Sequence, residues 1–578
     1  MGEPDTREAE RQARVAAGVP GALADKMRSA RVAGERRPVT FLFADVVGSS
    51  ALTRSMDPED WTELVNEAFE IMSKSIYRYE GTIARLMGDA ILAFFGAPVA
   101  HEDDPVRAVR CALDMVHGID RDLGARVRRE LGAEFRIRAG LDTGEVVVGN
   151  VGTDLMFEYT AMGDAVNVAP RMQAAAAPGT VLVTAATHRF VAPVVEFVDR
   201  GEIEIKGKAE PVHAYEITGM KAAPGRLRGL AGLESALVGR DQELARLEEA
   251  YEVVRAGQGR VACVIGDAGL GKSRLLTEFR SSARARSPEL VWAEGQCLSY
   301  GQGLPYHVVV DLLRSLVGAS ATADEREFGD ALERLTRDLL GKAGTDTYAY
   351  LAHMAGLPLT TDLAARISSA EFGVLQRYVA SLHTLVQAMA AKGPVVLVCE
   401  DVHWADAASV DVIFQVMPLA NELPLLWIVT SRPERGATGW RLVTTARDMF
   451  GEALIEVRLA ALSTDSTRRL VSNLLEVESL PDAVRDVILE KAEGNPFFVE
   501  EVIRMLMDHG AIVERDGRWT ATGAIGAVEI PGTLQGLLLA RIDRLSPSAR
   551  RTIRTASVIG RQFPLRVLER LIDAAAKP

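Results

Sequence analysis

Two aspartates at the edges of apolar runs carry the first chemistry in this chain. Asp45 closes the run Val39-Thr40-Phe41-Leu42-Phe43-Ala44-Asp45, and Asp89 follows Gly88 between the apolar stretches 83–87 and 90–95. Two carboxylates delivered at strand ends can hold divalent cations, which prefer oxygen ligands. Asn167 and Arg171 follow, four residues apart and therefore on one face of a helix. An amide and a guanidinium added to two metal-binding carboxylates suggest phosphoryl chemistry. A second constellation, Gly266-Asp267-Ala268-Gly269-Leu270-Gly271-Lys272-Ser273, matches the P-loop pattern. It follows an apolar run and opens a helix, so loop N–H groups and the helix N-terminus would cradle phosphates. Lys272 would neutralise them, and Ser273 would bind Mg²⁺.

These groups need elements to position them. At 578 residues the chain predicts three or four domains. An apolar fraction of 48% and a charged fraction of 25% are ordinary for globular protein. A net charge of −13 and a pI near 5.4 argue against nucleic-acid binding by the chain as a whole. Cys111, Cys263, Cys297 and Cys399 are far apart with no CxxC, so neither a zinc knuckle nor a redox pair is suggested. Buried, reduced thiols are the simple reading. The N-terminus is charged, and no run of 18 apolar residues occurs; the chain reads as cytoplasmic, with no membrane span.

Residues 1–36 read as a helical or disordered leader, and 37–219 alternate strand-like and helix-like segments, an α+β pattern. Asp57-Pro58-Glu59-Asp60 is a helix start that places Trp61, Leu64, Val65, Phe69 and Met72 on one face. Gly88-Asp89 predicts a β-hairpin, and a helix is expected from Pro105 to about Leu123. A second hairpin is expected from 135–142 and 145–149, joined by Asp142-Thr143-Gly144. Residues 220–236 read as a linker. The apolar runs 260–265, 394–399 and 425–430 predict a parallel α/β sheet within 237–455. A mainly helical region follows over 456–529, then a last segment, 530–578.

The segments Phe41–Ser50, Gly81–Pro98 and Tyr159–Gln173 resemble the class III nucleotidyl cyclase domain, across residues 37–219. The resemblance implies a ferredoxin-like α+β fold. It implies that Asp45 and Asp89 bind two Mg²⁺ or Mn²⁺ ions, with the Val46 carbonyl as a further ligand. One ion would lower the pKa of the ribose 3′-hydroxyl, and the other would steady the triphosphate. Asn167 would orient the ribose, and Arg171 would stabilise charge developing on the α-phosphate. Lys206 and Lys208 are candidate phosphate contacts. In this family the aspartates come from one domain and the Asn and Arg from another, which implies a homodimer with two equivalent sites. Thr160 takes the acceptor position for the base. Arg85 stands where Lys is usual; it donates to adenine N1 and cannot accept from guanine N1–H, so ATP is favoured over GTP. Pro170 departs from the family pattern, because in a helix it removes a hydrogen bond and can kink the segment that aims Arg171. Asp164 reads as the cap of that helix.

Val395-Val396-Leu397-Val398-Cys399-Glu400-Asp401 resembles a Walker B strand. One acid would hold Mg²⁺ through water and the other would polarise the attacking water; the Glu-Asp order leaves the division open. Trp404 reads as packing. Ser431 and Arg432 occupy a sensor-like position, and Val238-Gly239-Arg240 resembles the segment lining the adenine pocket in AAA-like ATPases. Gly494-Asn495-Pro496-Phe497 adds a resemblance to signal-transducing ATPases with numerous domains. Cyclase followed by ATPase is similar to the soluble adenylyl cyclase family and to bacterial cyclase–ATPase regulators. This resemblance implies conversion of ATP to cyclic AMP and pyrophosphate, governed by a module that binds ATP with Mg²⁺ and answers a protein or small-molecule signal. Ile530-Pro531-Gly532-Thr533 would begin a winged-helix region, cut short. The alternatives are an inactive cyclase-like ATP-dependent switch, a transcription regulator, and a guanylate cyclase. Arg541, Arg544, Arg550, Arg551 and Arg554 read as a solvated helix face rather than a nucleic-acid contact.

Overall fold

The structure is a computed structural model. It describes residues 35–49, 53, 56–101, 103–153, 156–162, 165–192, 194–204, 211–221, 237–298, 304–319, 325–368, 373–475, 485, 488–489, 492–508, 512–515, 518–521 and scattered positions between 542 and 568. The expected leader up to residue 34, most of the linker, Asp164, Lys206, Lys208 and the basic cluster other than Arg550 lie outside the described residues. The chain divides into two units, Met1–Met220 with Glu529–Pro578, and Lys221–Val528.

The first unit is built on one eight-stranded sheet of order β2-β3-β1-β4-β6-β8-β7, with β5 beside β4. One of its inner strands is β1 (Glu35–Val46), whose stretch from Val39 to Ala44 is apolar apart from Thr40 and mostly buried. Helix α1 (Pro58–Arg78) starts as the sequence predicts: Asp57 accepts from Glu59 N–H at 3.0 Å, and Pro58 occupies the first turn. It buries Leu64, Val65, Phe69, Met72 and Ile76. Strands β2 (Thr82–Met87) and β3 (Ala90–Phe95) form the expected hairpin, turning at Gly88 with φ +62°. Helix α2 (Asp104–Gly118) runs past its predicted end, through a π-helical segment, Ile119–Gly124, into α3 (Ala125–Leu131). The cause is burial: Ile119, Leu123 and Val127 continue the apolar face.

The second expected hairpin is not formed. Residues 137–153 are one continuous strand, β4 (Ile137–Thr153). Thr143 and Gly144 lie mid-ladder, opposite Thr40 and Val39 of β1. Pairing with all of β1 outweighs the local turn tendency of Asp142-Thr143-Gly144. Asp142 is tied down instead, accepting from Thr184 Oγ1 at 2.5 Å. Strand β5 (Met156–Met162) folds back antiparallel on β4 and leads towards α4 (Ala165–Ala175). Strands β6 (Val181–Thr184), β7 (Val195–Ile203) and β8 (Val212–Met220) complete the sheet.

In the second unit, α5 (Asp241–Arg255) precedes β9 (Arg260–Ile265), the P-loop and α6 (Lys272–Arg286). The parallel sheet adds β10 (Val291–Gln296), β11 (Val395–Glu400), β12 (Leu425–Ser431) and β13 (Leu454–Arg458), in the order β10-β11-β12-β9-β13. Alternate residues of each strand enter separate cores. Cys263, Leu397 and Trp427 pack on one face, and Val264, Val398 and Ile428 on the other. That double burial is why these strands read as unbroken apolar runs. The region beyond 455 is not helical throughout. β13 crosses that boundary, and α7 (Thr464–Leu475) and α8 (Pro496–Asp508) are followed by a hairpin of β14 (Ile512–Arg515) and β15 (Arg518–Ala521). All four cysteines are buried and free. Among the described residues no helix is long and apolar enough to cross a membrane.

Candidate functional site

The β1–β3 ladder brings the two predicted metal ligands together. Asp45 pairs with Ala90, and Asp89 immediately precedes Ala90 in the turn, so both carboxylates flank one rung. Burial raises the Asp45 pKa above the ordinary carboxylate range; the Arg138 guanidinium lowers it and the Asp89 charge raises it again. Two partly buried carboxylates that repel each other form a hard-oxygen donor set that a divalent cation would relieve. The Val46 residue that would add a carbonyl ligand ends β1, opposite Ile137.

Arg138 is a residue the sequence reading missed. It lies across the ladder from Asp45, with Nε 3.4 Å from Asp45 Oδ1, and its NH1 donates to the Ala174 carbonyl at 2.8 Å. The available signal was an arginine, the second of two, alternating with apolar residues in the run 135–142.

Asn167 and Arg171 both lie on α4. The helix buries Ala165, Val168, Ala169, Met172 and Gln173 against the sheet, leaving Asn167 exposed and Arg171 half-buried. Pro170 is indeed inside this helix. The helix lies very close to β4 at Gly140, where an added Cβ would stand 2.0 Å from the Gln173 nitrogen and 2.4 Å from the Ala169 oxygen. A glycine is required there, and it sets the depth at which α4 docks.

The base-recognition candidates fall on neighbouring elements. Arg85 is exposed on β2, Thr160 lies on β5 opposite Gly149, and β5 packs against β2. The Thr160 side chain lies outside the described residues.

In the second unit, β12 separates the P-loop strand β9 from the acid-bearing strand β11. Ser273 Oγ donates to Glu400 Oε2 at 2.5 Å, so Glu400 faces the P-loop. Burial pushes the Glu400 carboxyl up to about 7, with the Asp401 and Glu294 charges adding to the rise and the Ser273 hydrogen bond and Lys272 opposing it. Lys272 Nζ donates to the carbonyls of Gly266 at 2.9 Å and Asp267 at 3.2 Å.

Asp401 points elsewhere. Its backbone is left-handed, φ +54°, and its N–H donates to Thr430 Oγ1 at 2.8 Å. Its carboxylate lies 3.9 Å from His403 Nδ1. Such a conformation is costly for a non-glycine residue and collects at functional sites. Arg432 is buried, with NH1 4.0 Å from Glu434 and its N–H donating to His403 Nδ1 at 3.5 Å. Asp406 is a helix cap, accepting from Ser409 N–H at 2.8 Å and Tyr306 N–H at 3.1 Å. Neither Thr430 nor His403 was singled out from sequence.

A pair of neighbouring carboxylates on one sheet and a P-loop facing an acidic strand on another fit the two domains that the sequence resembles. The family comparisons agree. Residues 32–219 match the adenylate and guanylate cyclase catalytic domain, 236–428 match an AAA ATPase domain, and 463–519 match a domain of unknown function, DUF8739. The chain thus carries a class III cyclase domain followed by an AAA ATPase domain. An uncharacterized protein of Rhizobium meliloti is 29% identical over 94% of this chain and 50% of its own length. Adenylate cyclase 1 of Rhizobium meliloti is 34% identical over 32% of this chain and 28% of its own. The chain therefore spans half or less of these relatives. Among solved structures, the adenylyl cyclase CyaB from P. aeruginosa is 31% identical, covering 32% of this chain and 96% of that one, with a TM-score of 0.31. The guanylyl cyclase Cya2 is 32% identical, covering 33% and 95%, also with a TM-score of 0.31.

Proposed function

We propose that the first unit is an adenylate cyclase, forming 3′,5′-cyclic AMP and pyrophosphate from ATP at a homodimer interface, under control of the ATP-binding unit. The observation that carries this reading is the placement of Asp89 next to the Asp45–Ala90 rung while Asn167 faces outward on α4. The carboxylate pair suits two Mg²⁺ or Mn²⁺ ions, which when bound supply Lewis acidity to the 3′-hydroxyl and the triphosphate. Asp45 and Asp89 hold that charge in place. Arg138 stands beside them, ready to pair with triphosphate oxygens once Asp45 is engaged elsewhere. Asn167 orients the ribose, and Arg171 meets the charge growing on the α-phosphate. Arg85 donates to the base, which favours adenine.

In the ATPase unit, Ser273 and Glu400, already joined by a hydrogen bond, would hold Mg²⁺ at the P-loop. A cyclase assay with Mn²⁺ and either ATP or GTP, side by side, tests the reading. Cyclic AMP from ATP is expected. Product only from GTP would replace adenylate with guanylate specificity, and no product from either would leave an ATP-dependent switch.

A further inference from the structure

Every backbone carbonyl from Gly266 to Leu270 in the P-loop accepts a hydrogen bond. Lys272 serves the first two, Gly266 and Asp267. The next three are served from outside the loop. Asn495 Nδ2 donates to the Ala268 carbonyl at 3.1 Å, Phe497 N–H to Gly269 at 3.3 Å, and Arg240 NH2 to Leu270 at 3.2 Å. Asn495 and Phe497 belong to the 463–519 domain of unknown function.

A trans peptide is planar, with its C=O and N–H pointing in opposite directions. A donor that fixes the Ala268 carbonyl outward therefore turns the Gly269 N–H inward. Likewise, Arg240 on the Leu270 carbonyl turns the Gly271 N–H inward. The intervening Leu270 N–H closes a turn on the Asp267 carbonyl at 3.5 Å. Inward N–H groups are what a phosphate cradle consists of.

The contact is close. Gly269, at φ +82°, admits no side chain: an added Cβ would meet Asn495 Oδ1 at 2.6 Å and Phe497 Cβ at 2.8 Å. Asn495 is itself held, because its Oδ1 accepts from the Phe497 N–H at 3.1 Å. Arg240 also donates to the Ala460 carbonyl at 2.5 Å, joining the loop to the chain just beyond β13.

We propose that Asn495, Phe497 and Arg240 are positioning residues for the P-loop. Docking of the 463–519 domain presets the phosphate cradle, and bound nucleotide in turn holds that domain down. Reciprocity is required, since two binding events that favour one arrangement strengthen each other equally. This rests on reading Gly266–Ser273 as the nucleotide site.

The test uses the full chain, with Mg²⁺–ADP as the probe. Calorimetry compares wild type, Lys272→Ala and Asn495→Asp, and hydrogen exchange follows residues 496–508 with and without ADP. Asn495→Asp keeps the acceptor for Phe497 but removes the donor to Ala268. Roughly tenfold weaker ADP binding is expected, the scale of one lost hydrogen bond in a fixed site. In wild type, ADP should slow exchange across 496–508, a readout that needs no variant. Equal ADP affinity in wild type and Asn495→Asp, or exchange at 496–508 indifferent to ADP, overturns the proposal. If Lys272→Ala binds ADP as wild type does, or wild type does not bind it, the P-loop reading itself falls and takes the proposal with it.

Discussion

Arg138 lies directly across the β1–β4 ladder from Asp45, and its guanidinium Nε is 3.4 Å from the Asp45 carboxylate. One cation thereby stands beside the proposed metal ligands and also donates to the Ala174 carbonyl near the end of α4. The arginine links Asp45 to the helix that carries Asn167 and Arg171.

Arg138→Ala should raise the KM for nucleotide by about tenfold, because a charge-assisted contact to phosphate is lost. Mn²⁺ should bind as tightly or more tightly, since a nearby positive charge has gone. Steady-state kinetics and Mn²⁺ binding by electron paramagnetic resonance check the two halves. An unchanged KM would remove Arg138 from the substrate site.

Asp89→Asn should lower cyclic AMP formation by about a thousandfold while the protein stays folded. Its thermal stability should hold or rise, because repulsion with Asp45 is relieved. Mn²⁺-dependent product formation and a melting curve on the same sample measure both.

Mixing Asp45→Ala with Arg171→Ala should restore activity that neither variant has alone. Half of randomly mixed dimers pair the two variants, and each such dimer rebuilds one intact site, so about a quarter of wild-type turnover is expected. A mixture as inactive as its components would argue for a site within one chain.

His101 makes stability depend on pH. It lies between Glu80 at 2.8 Å and Asp104 at 3.1 Å, with Arg107 bonded to Glu80 and Asp103. Burial and the Arg107 charge act to lower its pKa, but hydrogen bonds and charge from Asp104 and Glu80 raise it overall. A raised folded-state pKa means this stabilisation is complete below the unfolded value of about 6.5 and is lost as pH climbs through the folded value. Melting temperature should therefore fall with rising pH more steeply in wild type than in His101→Gln. Parallel curves from thermal melts across that range would contradict it.

Gly140→Ala should cost about 3 kcal/mol or more of stability, since its methyl would strike the α4 backbone. Urea unfolding measures the loss. Cyclic AMP formation should fall with it, as α4 is displaced.

The sequence was most legible where chemistry and periodicity coincide. Asp57 with Pro58, the Gly88 turn and the doubly buried strands of the parallel sheet are local or periodic signals. β4 was misread because Asp142-Thr143-Gly144 has turn residues, while its strand pairing is dictated by β1, a hundred residues earlier. The π-helical segment at Ile119–Gly124 carried no local mark either. The Walker B division between Glu400 and Asp401 depends on backbone twist. Only the left-handed turn at Asp401, fixed by Thr430, shows which acid faces the P-loop. The donors to Ala268 and Gly269 come from more than two hundred residues away, beyond the reach of any local pattern.

Strand order carries one last consequence. Because β12 lies between β9 and β11, the P-loop strand and the strand bearing Glu400 are two ladder spacings apart, about 10 Å. That gap is measured out by main-chain hydrogen bonds, whose repeat no side chain can alter. The width of the ATP cleft is therefore ruled by the backbone. Evolution can exchange the side chains that face the cleft without retuning the distance between the two strands.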